Sequence, residues 1–416
     1  MEEHIIERAV LAGLCADCFQ KEEQATEQTL DELETLLNTA GGVCVAKVLQ
    51  NRHAPDAHSF VGEGKAEEIR SLVEHHGAGM VVFDNDLSPS QIRSLEEITG
   101  VTVLDRSALI LDIFAQRAHT AEGRLQVELA QYKYLLPKLS GMGQSMSRLG
   151  GGIGTRGPGE TKLETDRRHI RLRISRLEEE LEQVRKLRAV ERRRRQKNEI
   201  PVVALVGYTN TGKSTLLNRL TGSNIPANNR LFDTLDTTTR QLEISERLTV
   251  LLSDTVGFIA KLPHHLVDAF RATLEELACA DLLIHVIDAA DPEREAHIQV
   301  VDRLIAQLAD PNTPIIRCYN KADLVQPEAI PIGNDVAAIS ARTGQGIDAL
   351  FALIERELSK HRHHVIFRLP YSMGGQVEAL HDKAEVLRVD YTDAGIEIEV
   401  NCDEILYGRL AQYEVK

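Results

Sequence analysis

Residues 207–214 read Gly207-Tyr208-Thr209-Asn210-Thr211-Gly212-Lys213-Ser214. The apolar run 201–206 precedes this stretch directly, and residues 215–220 continue with a helix-forming pattern. A buried strand, a glycine loop and a helix in this order bring backbone N–H groups and a helix N-terminus against phosphate oxygens. We therefore expect a phosphate loop for a nucleoside triphosphate. Lys213 would reach the β- and γ-phosphates, and the Ser214 hydroxyl would bind Mg²⁺.

Two polar segments further along the chain have the composition of nucleotide switches. The first, residues 231–240, is rich in hydroxyl groups and lies between the first helix and the next strand. A threonine there can bind Mg²⁺ through its hydroxyl and the γ-phosphate through its N–H, and hydrolysis removes both contacts. The second, Asp254-Thr255-Val256-Gly257, follows the apolar run 248–253. Asp254 can hold Mg²⁺ through water, and the N–H of Gly257 can approach the γ-phosphate because no side chain blocks it.

Two later motifs predict that the base is guanine. The motif Asn320-Lys321-Ala322-Asp323 follows the apolar run 314–319. An aspartate there accepts two hydrogen bonds from guanine, whereas adenine has no donor at N1 and would leave the carboxylate unpaired, at a cost of about 1–3 kcal/mol or more. The tripeptide Ser340-Ala341-Arg342 follows the run 335–339 and would bring a backbone N–H to the guanine O6. Five ordered elements on alternating strands and helices predict a Ras-like P-loop GTPase domain.

The residue after Gly257 departs from the Ras-like pattern. Phe258 stands where such enzymes carry the glutamine that orients the attacking water, and a phenyl ring cannot do this, so we expect slow intrinsic hydrolysis. Asn210 either helps to hold a potassium ion against the phosphates, as in translation-factor-related GTPases that the loop resembles, or caps the loop. Arg240 is either an internal arginine finger or a solvated side chain. A partner that completes the site is the third alternative.

Three stretches make a more specific resemblance. They are the glycine-rich run 150–168 (GGGIGTRGPGETKLETDRR), the turn Val61-Gly62-Glu63-Gly64-Lys65 and the segment Phe232-Asp233-Thr234-Leu235-Asp236. On these residues the chain resembles the HflX family of ribosome-associated GTPases, over about residues 30–360. A proline is expected in the family's switch where this sequence has Thr237.

The resemblance implies a complete nucleotide site. Catalytic roles fall to Lys213, Thr234 and Gly257, and the Mg²⁺ ligands are Ser214, Thr234 and Asp254. GTP or GDP would be bound by the following residues: Gly207, Tyr208, Thr209, Asn210, Thr211, Gly212, Lys213, Ser214, Phe232, Asp233, Thr234, Leu235, Asp236, Asp254, Thr255, Val256, Gly257, Asn320, Lys321, Ala322, Asp323, Ser340, Ala341 and Arg342.

The length of 416 residues is too great for one hydrophobic core and suggests about three domains. The pattern divides the chain into an N-terminal α/β domain (1–120), a helical hairpin (121–198), the GTPase domain (199–360) and a small α+β domain (361–416). No apolar run approaches the roughly 20 residues that cross a bilayer, and the first residues form no signal peptide. We expect a cytoplasmic monomer. Of six cysteines only Cys15 and Cys18 are closely spaced, which argues against a metal or redox role.

Short apolar runs and amphipathic stretches predict a parallel sheet in the N-terminal domain, beginning with a strand at residues 42–48. Its turn Gly62-Glu63-Gly64-Lys65 is either a phosphate cradle or a tight strand-to-helix turn. The family resemblance implies a second nucleotide or an RNA contact for this domain. At the other end of the chain, alternating runs after residue 361 predict an antiparallel hairpin with a helix against it, which either contacts a protein on the ribosome or caps the GTPase domain.

A long helix is predicted from about Thr165 to near Lys197. Its apolar seam consists of Ile170, Ile174, Leu177, Leu181, Val184 and Leu187. Such a narrow stripe needs a partner, for which the stretch 125–136 is the candidate. The glycine-rich loop 141–159, with Arg148, Arg156 and Lys162, would then lie at the tip of a rigid arm.

The charge of this arm opposes that of the whole chain. A net charge of −15 argues against indiscriminate nucleic-acid binding. The helix nevertheless carries thirteen basic residues: Arg167, Arg168, Arg171, Arg173, Arg176, Arg185, Lys186, Arg188, Arg192, Arg193, Arg194, Arg195 and Lys197. Local charge density sets phosphate affinity, so binding to structured RNA by shape is the preferred interpretation and a solvated face the alternative.

The resemblance implies a large-ribosomal-subunit partner, its ribosomal RNA, and the splitting or rescue of stalled ribosomes. The alternatives are a GTPase in ribosome assembly or RNA modification, and a GTP-regulated binding module with incidental hydrolysis.

Overall fold

The structure is a computed structural model of the 416-residue chain. It describes residues 7–20, 23–146, 158–197, 200–223, 231–232, 238–246, 248–261, 277–360, 363–375, 377, 380, 384–402 and 404–415. In this part of the chain no helix is long and apolar enough to cross a membrane.

The first domain has the predicted parallel sheet, and helices cover both of its faces. Its strands are β1 (Arg8–Ala16), β2 (Val43–Arg52), β3 (Met80–Phe83) and β4 (Thr102–Asp105), in the order β2-β1-β3-β4. Its helices are α1 (Glu27–Ala40), α2 (Glu63–His76), α3 (Pro89–Thr99) and α4 (Arg106–Arg117). Helices α1 and α4 pack on one face, and α2 and α3 on the other. Strand β1, which was not predicted, is central in the sheet and is a continuous apolar run because both of its faces are buried.

Two antiparallel helices follow, α5 (Ala121–Met146) and α6 (Pro158–Lys197). Leu129 of α5 packs against Leu177 and Leu181 of α6, and Glu128 accepts two hydrogen bonds of 2.8 Å from Arg173. The 40 residues of α6 span about 60 Å.

Both ends of the predicted loop 141–159 are helical, so the loop prediction was too long. Residue 146 still belongs to α5, and α6 begins at Pro158 rather than near Thr165. Residues 147–157, with Arg148 and Arg156, lie outside the described residues.

The predicted seam was wrong at its far end. Leu187 is 69% exposed, whereas Leu177 is buried. Helix α5 begins about two turns before Glu128, the partner of Arg173, and therefore does not reach Leu187.

The third part is a six-stranded sheet with helices. Its strands are β5 (Val202–Val206), β6 (Thr238–Ser245), β7 (Leu248–Asp254), β8 (Leu282–Asp288), β9 (Ile315–Asn320) and β10 (Val336–Ala338), in the order β10-β9-β8-β5-β7-β6. Only β6 is antiparallel to its neighbour. Its helices include α7 (Lys213–Thr221), α8 (Arg294–Leu308) and α9 (Ile347–Ser359). Because β5, β7, β9 and β10 are parallel, the four motifs that follow them meet at one edge of the sheet.

The last part is an antiparallel sheet of β11 (His363–Leu369), β12 (Glu385–Thr392) and β13 (Gly395–Cys402), in the order β11-β13-β12. Helix α10 (Glu404–Leu410) packs Leu406 and Leu410 against Phe367 and Ile398 of the sheet, so a helix lies against the hairpin, as the sequence predicted without bounds.

Candidate nucleotide site

The phosphate loop connects β5 to α7 in a tight backbone conformation. Gly212 has a φ of 94°, and a side chain on it would overlap the amide of Asn320. Thr211 donates from its hydroxyl to the carbonyl of Tyr208 at 3.0 Å, which closes the loop on itself. Asn210 also has a positive φ, of 61°, a conformation that asparagine tolerates better than most residues. These constraints direct the loop around the N-terminus of α7.

Lys213 lies buried beneath this loop. Its Nζ donates to the carbonyls of Gly207 at 3.0 Å and Tyr208 at 2.7 Å. Burial lowers the pKa of Lys213 to about 8, although the nearby Asp254 carboxylate acts in the opposite direction. The ammonium group is therefore poorly solvated, and a phosphate would be a strong partner for it.

Ser214 and Asp254 form the pair expected at a magnesium site. The Ser214 hydroxyl donates to Oδ2 of Asp254 at 2.8 Å, and Asp254 is fully buried at the end of β7. Hydroxyl and carboxylate oxygens are the ligands that Mg²⁺ takes, so these two residues fit the ion. The third predicted ligand, Thr234, lies outside the described residues, as do Asp233, Leu235 and Asp236.

The second switch is held against the phosphate loop by its main chain. The N–H of Phe258 donates to Gly207 O at 3.1 Å, and the N–H of Thr209 donates to Phe258 O at 2.7 Å. The Phe258 side chain is 1% exposed and belongs to the same hydrophobic cluster as Val256 and Ile259. Its ring therefore packs in the hydrophobic core. A group that orients the attacking water, which a glutamine supplies at this position in Ras-like enzymes, has to come from another residue or from a partner.

The base-recognition motif is linked to the phosphate loop through Asn320. This buried side chain donates from Nδ2 to Thr211 O at 2.8 Å and accepts from Ala341 N at 2.9 Å. The tripeptide 340–342 is thereby fixed beside the motif, with the N–H of Ala341 used by Asn320. The carboxylate of Asp323 is exposed at the same edge of the sheet.

Lys321 joins the same edge from the other side. Its Nζ pairs with Asp288 at 2.6 Å and donates to the carbonyl of Asn210 at 3.2 Å. The Asn210 side chain is exposed. Arg240 is exposed on β6 and donates to the carbonyl of its neighbour Thr239 at 3.1 Å, and among the described contacts none joins it to the phosphate loop.

The glycine turn of the first domain begins α2. Gly62 is the N-terminal cap, and its carbonyl accepts from Lys65 N at 2.8 Å. The ammonium of Lys65 pairs with Glu68 at 2.7 Å. Within the described ranges no group of three metal-binding side chains is found, and the Cys15 thiol donates to Gln24 at 3.7 Å.

Sequence reasoning missed a buried polar group that connects the first domain to the phosphate loop. We call it the interdomain cluster: Glu32, Asp84, Arg106, Tyr208 and Lys261. The Tyr208 hydroxyl donates to Glu32 and accepts from the N–H of Ala260 at 2.6 Å.

Arg106 is the centre of this cluster. It is 2% exposed, pairs with Glu32 and with Asp84 (2.7 Å to the latter), and donates to Ala260 O at 3.2 Å. Burial opposes its charge, but the two carboxylates outweigh burial and raise the pKa of Arg106. Lys261, directly after the second switch, pairs with Asp84. No local pattern could have revealed these contacts, because Tyr208 and Glu32 are 176 residues apart.

The beginning of the first switch also touches the N-terminal domain. Phe232 meets Phe114 of α4 edge to face, with ring centroids 4.7 Å apart. The N–H of Leu231 donates to the Thr39 hydroxyl of α1 at 3.3 Å. The described start of the first switch and the residues that follow the second switch therefore lie next to α1 and α4.

Comparison with known proteins agrees with this architecture. Family models match three consecutive parts of the chain: "GTP-binding GTPase N-terminal" over residues 27–115, "GTP-binding GTPase Middle Region" over 117–195 and "50S ribosome-binding GTPase" over 202–321. The GTPase HflX of Caldanaerobacter subterraneus subsp. tengcongensis is 48% identical over 400 residues, which cover 95% of this chain and 92% of that protein. The chain belongs to the HflX family of GTPases.

The HflX relative from Escherichia coli (strain K12) is 41% identical over 395 residues, which cover 93% of this chain and 92% of that protein. A crystal structure of a GTP-binding protein from Sulfolobus solfataricus in complex with GDP covers 85% of this chain and 99% of that one, at 24% identity and a TM-score of 0.44. As a member of the HflX family, this chain carries a GTP-binding domain on the six-stranded sheet.

Proposed function

We propose that this HflX-family chain binds the large ribosomal subunit and acts there as a GTP-dependent switch that splits or rescues stalled ribosomes. The observation that carries this proposal is the arm formed by α5 and α6. Its longer helix carries exposed basic side chains, among them Arg168, Arg171, Arg176 and Lys186. The match of residues 202–321 to a family described as ribosome-binding supports the choice of target.

The arm is suited to structured RNA by its charge and its shape. Arg173 and Lys133 are used in ion pairs between the two helices, which stiffen the arm. The exposed arginines remain available to phosphates, and α6, a helix of about 60 Å, can reach into a deep groove. Recognition of this kind depends on RNA shape and phosphate position rather than on base sequence.

The switch is built from the nucleotide site. With GTP bound, Ser214, Asp254 and Thr234 would hold Mg²⁺, which neutralises charge on the β- and γ-phosphates. Lys213 would exchange its two loop carbonyls for phosphate oxygens, and Thr234 and Gly257 would hold the switches against the γ-phosphate. Hydrolysis would remove these contacts and release both switches, of which the described start of the first touches α1 and α4. The change would thereby alter how the first domain and the arm meet the ribosome.

Phe258 favours a second candidate function. Its ring is buried and cannot orient water, as expected for a GTP-regulated binding module with incidental hydrolysis. A GTPase in ribosome assembly or RNA modification would share every nucleotide residue and differ in what the arm binds. We place the protein in the cytoplasm as a monomer, with potassium at Asn210 as one way to complete the site.

The test measures GTP hydrolysis with and without purified large ribosomal subunits, in potassium and in sodium. Lys213→Ala is the blank. We expect the subunits to raise the rate of GTP hydrolysis. Substitution of Arg168, Arg171 and Arg176 by glutamine should abolish that increase. The matched control neutralises Arg70 and Arg93, which are exposed on the first domain. A rate that ignores the subunits, or a control that loses stimulation equally, would contradict a ribosomal role for the arm.

A further inference from the structure

The phosphate loop contains a buried hydroxyl to which the roles above assign no function. Thr209, the third residue of the loop, is 6% exposed, and its Oγ1 is buried with no hydrogen-bond partner among the described residues. Leaving a buried hydroxyl unpaired costs about 1–3 kcal/mol, so such groups are rare in native proteins. A valine would fill the same volume without this cost. The hydroxyl therefore calls for a partner that binds here.

Thr209 lies where the phosphate loop, the second switch and Lys213 meet. A Cβ placed on Gly257 would lie 2.9 Å from Thr209 Cγ2, 3.1 Å from Thr209 Cα and 3.1 Å from Lys213 Nζ. The N–H of Thr209 is bonded to the carbonyl of Phe258 at 2.7 Å. Lys213 binds the β- and γ-phosphates and Gly257 the γ-phosphate, so Thr209 stands at the γ end of the site.

We propose that Thr209 is a catalytic residue that contacts the γ-phosphoryl end of GTP through its hydroxyl and takes over part of the role that Phe258 cannot perform. A hydroxyl has one donor and two acceptor positions, so it can donate to a γ-phosphoryl oxygen and accept from the attacking water. Threonine can exchange the positions of its hydroxyl and methyl groups by a rotation of about 120° about χ1. This role rests on the GTP hydrolysis proposed above.

The hydroxyl positions the reactants and exchanges no atoms with them. The water oxygen forms a bond to the γ-phosphorus while the bond from that phosphorus to the β–γ bridging oxygen breaks. GDP keeps the electron pair of the broken bond, and the proton of the attacking water passes to the released phosphate. Thr209 keeps its proton throughout, so the step needs no further reagent.

Other side chains near this point are less suited to the role. The ring of Phe258 is apolar and buried in the core, and the side chain of Asn210 is exposed. Arg240 is bonded to its neighbour on β6. Among the described residues around Gly257, Thr209 therefore offers a hydroxyl that is both buried and unpaired.

The experiment compares Thr209→Val, which keeps the shape and removes the hydroxyl, with Thr209→Ser, which keeps the hydroxyl. Single-turnover GTP hydrolysis and the Kd values for GDP and for a non-hydrolysable GTP analogue are measured for each. We expect valine to slow hydrolysis about 10- to 100-fold, in the range of a lost catalytic hydrogen bond, with the Kd for GDP unchanged. Serine should remain within about threefold of the unmodified protein.

The contrary outcomes are distinct. If Thr209→Val hydrolyses GTP at the unmodified rate, the role of Thr209 is packing. If both variants lose the same fraction of the rate, the shape of the threonine side chain, and not its hydroxyl, is what matters. A weaker Kd for GDP in the valine variant would point to a damaged loop, since GDP has no γ-phosphate. Unmodified protein no faster than Lys213→Ala would overturn the GTPase activity and this role together. If ribosomal subunits do not stimulate GTP hydrolysis by the unmodified protein, the proposed ribosomal function is overturned. The comparison of Thr209→Val with Thr209→Ser would still test the role of the hydroxyl.

Discussion

Asn320 holds three motifs together at the scale of a single side chain. Its amide group donates to the phosphate loop at Thr211 and accepts from Ala341 in the tripeptide that follows β10. Gly212 leaves the space that this amide occupies. The motifs predicted to bind the base and the phosphates are therefore fixed relative to each other by one buried residue.

We expect Asn320→Ala to lower the free energy of unfolding by about 1–3 kcal/mol, because Thr211 O and Ala341 N lose their partner. GDP binding should weaken strongly, since the loop and the base motif are no longer held in register. Urea unfolding and equilibrium binding of a fluorescent GDP measure the two effects. The control, Asn312→Ala, changes an exposed side chain in the turn before β9 and should stay within about 0.5 kcal/mol. Equal effects in both variants would contradict the cross-linking role.

Asp323 should set the choice of base by hydrogen-bond polarity. In Asp323→Asn the amide can still accept from N1–H but donates where guanine also donates, whereas xanthine offers a carbonyl at that position. We expect GDP affinity to fall at least about tenfold, or about 1.4 kcal/mol, and affinity for xanthosine diphosphate to rise. Calorimetric titration with both nucleotides measures this. Glu328→Gln, an exposed carboxylate a few residues later, is the control, and an unchanged preference in Asp323→Asn would contradict the assignment.

At the scale of elements, the arm depends on a narrow contact. Leu129, Leu177 and Leu181 are its buried residues, while Leu172 and Leu187 on the same helix are 51% and 69% exposed. A two-helix contact of this size contributes little stability. Truncation of one of its side chains should therefore increase local opening along the whole arm.

We expect Leu177→Ala to destabilise the arm by about 2–4 kcal/mol, because it removes buried apolar contacts and leaves a cavity. Leu187→Ala makes the same chemical change beyond the reach of α5 and should cost less than about 0.5 kcal/mol. Hydrogen exchange of the α6 amides reports local opening of the arm directly. Similar protection in both variants would mean that the two helices do not depend on this contact.

At the scale of the whole molecule, the interdomain cluster joins the first domain to the nucleotide site. Glu32 and Asp84 come from the first domain, Tyr208 from the phosphate loop and Lys261 from the end of the second switch, with Arg106 between them. Phe232, near the start of the first switch, touches α4, and Lys261, just after the second switch, pairs with Asp84 beyond the end of β3. A change in either switch must be accommodated at this interface.

We expect Arg106→Met to lower the free energy of unfolding by about 3–5 kcal/mol, because the buried Asp84 and the partly buried Glu32 lose the guanidinium that they share. Arg70→Met removes a similar guanidinium from exposed pairs with Glu67 and Glu74, and should cost about 0.5 kcal/mol or less. Urea unfolding, with tryptic digestion as the readout of the unfolded fraction, compares the free energies of unfolding of the two variants. Equal stability would contradict the assignment of Arg106 as the centre of a buried network.

The sequence was informative wherever the structure depends on residues that are close along the chain. Local patterns predict the phosphate loop, the strand ends that carry Asp254 and Asn320, and the parallel sheets. In each case the pattern is an apolar strand followed by a turn of defined residue types. Strand β1 and the length of the seam on α6 were harder to predict. An apolar run or a heptad pattern does not show which other part of the chain packs against it.

The amino-acid sequence by itself therefore determined the family, the guanine-nucleotide motifs and the basic arm, because these are written in contiguous residues whose chemistry is local. Only the tertiary structure decided that Leu187 is exposed, that the Phe258 ring is buried in the core, and that the Thr209 hydroxyl is buried without a hydrogen-bond partner among the described residues. It also brought Glu32 and Arg106 against Tyr208. Such contacts join residues far apart in the chain, and burial in three dimensions, rather than residue type, fixes their energies and their roles.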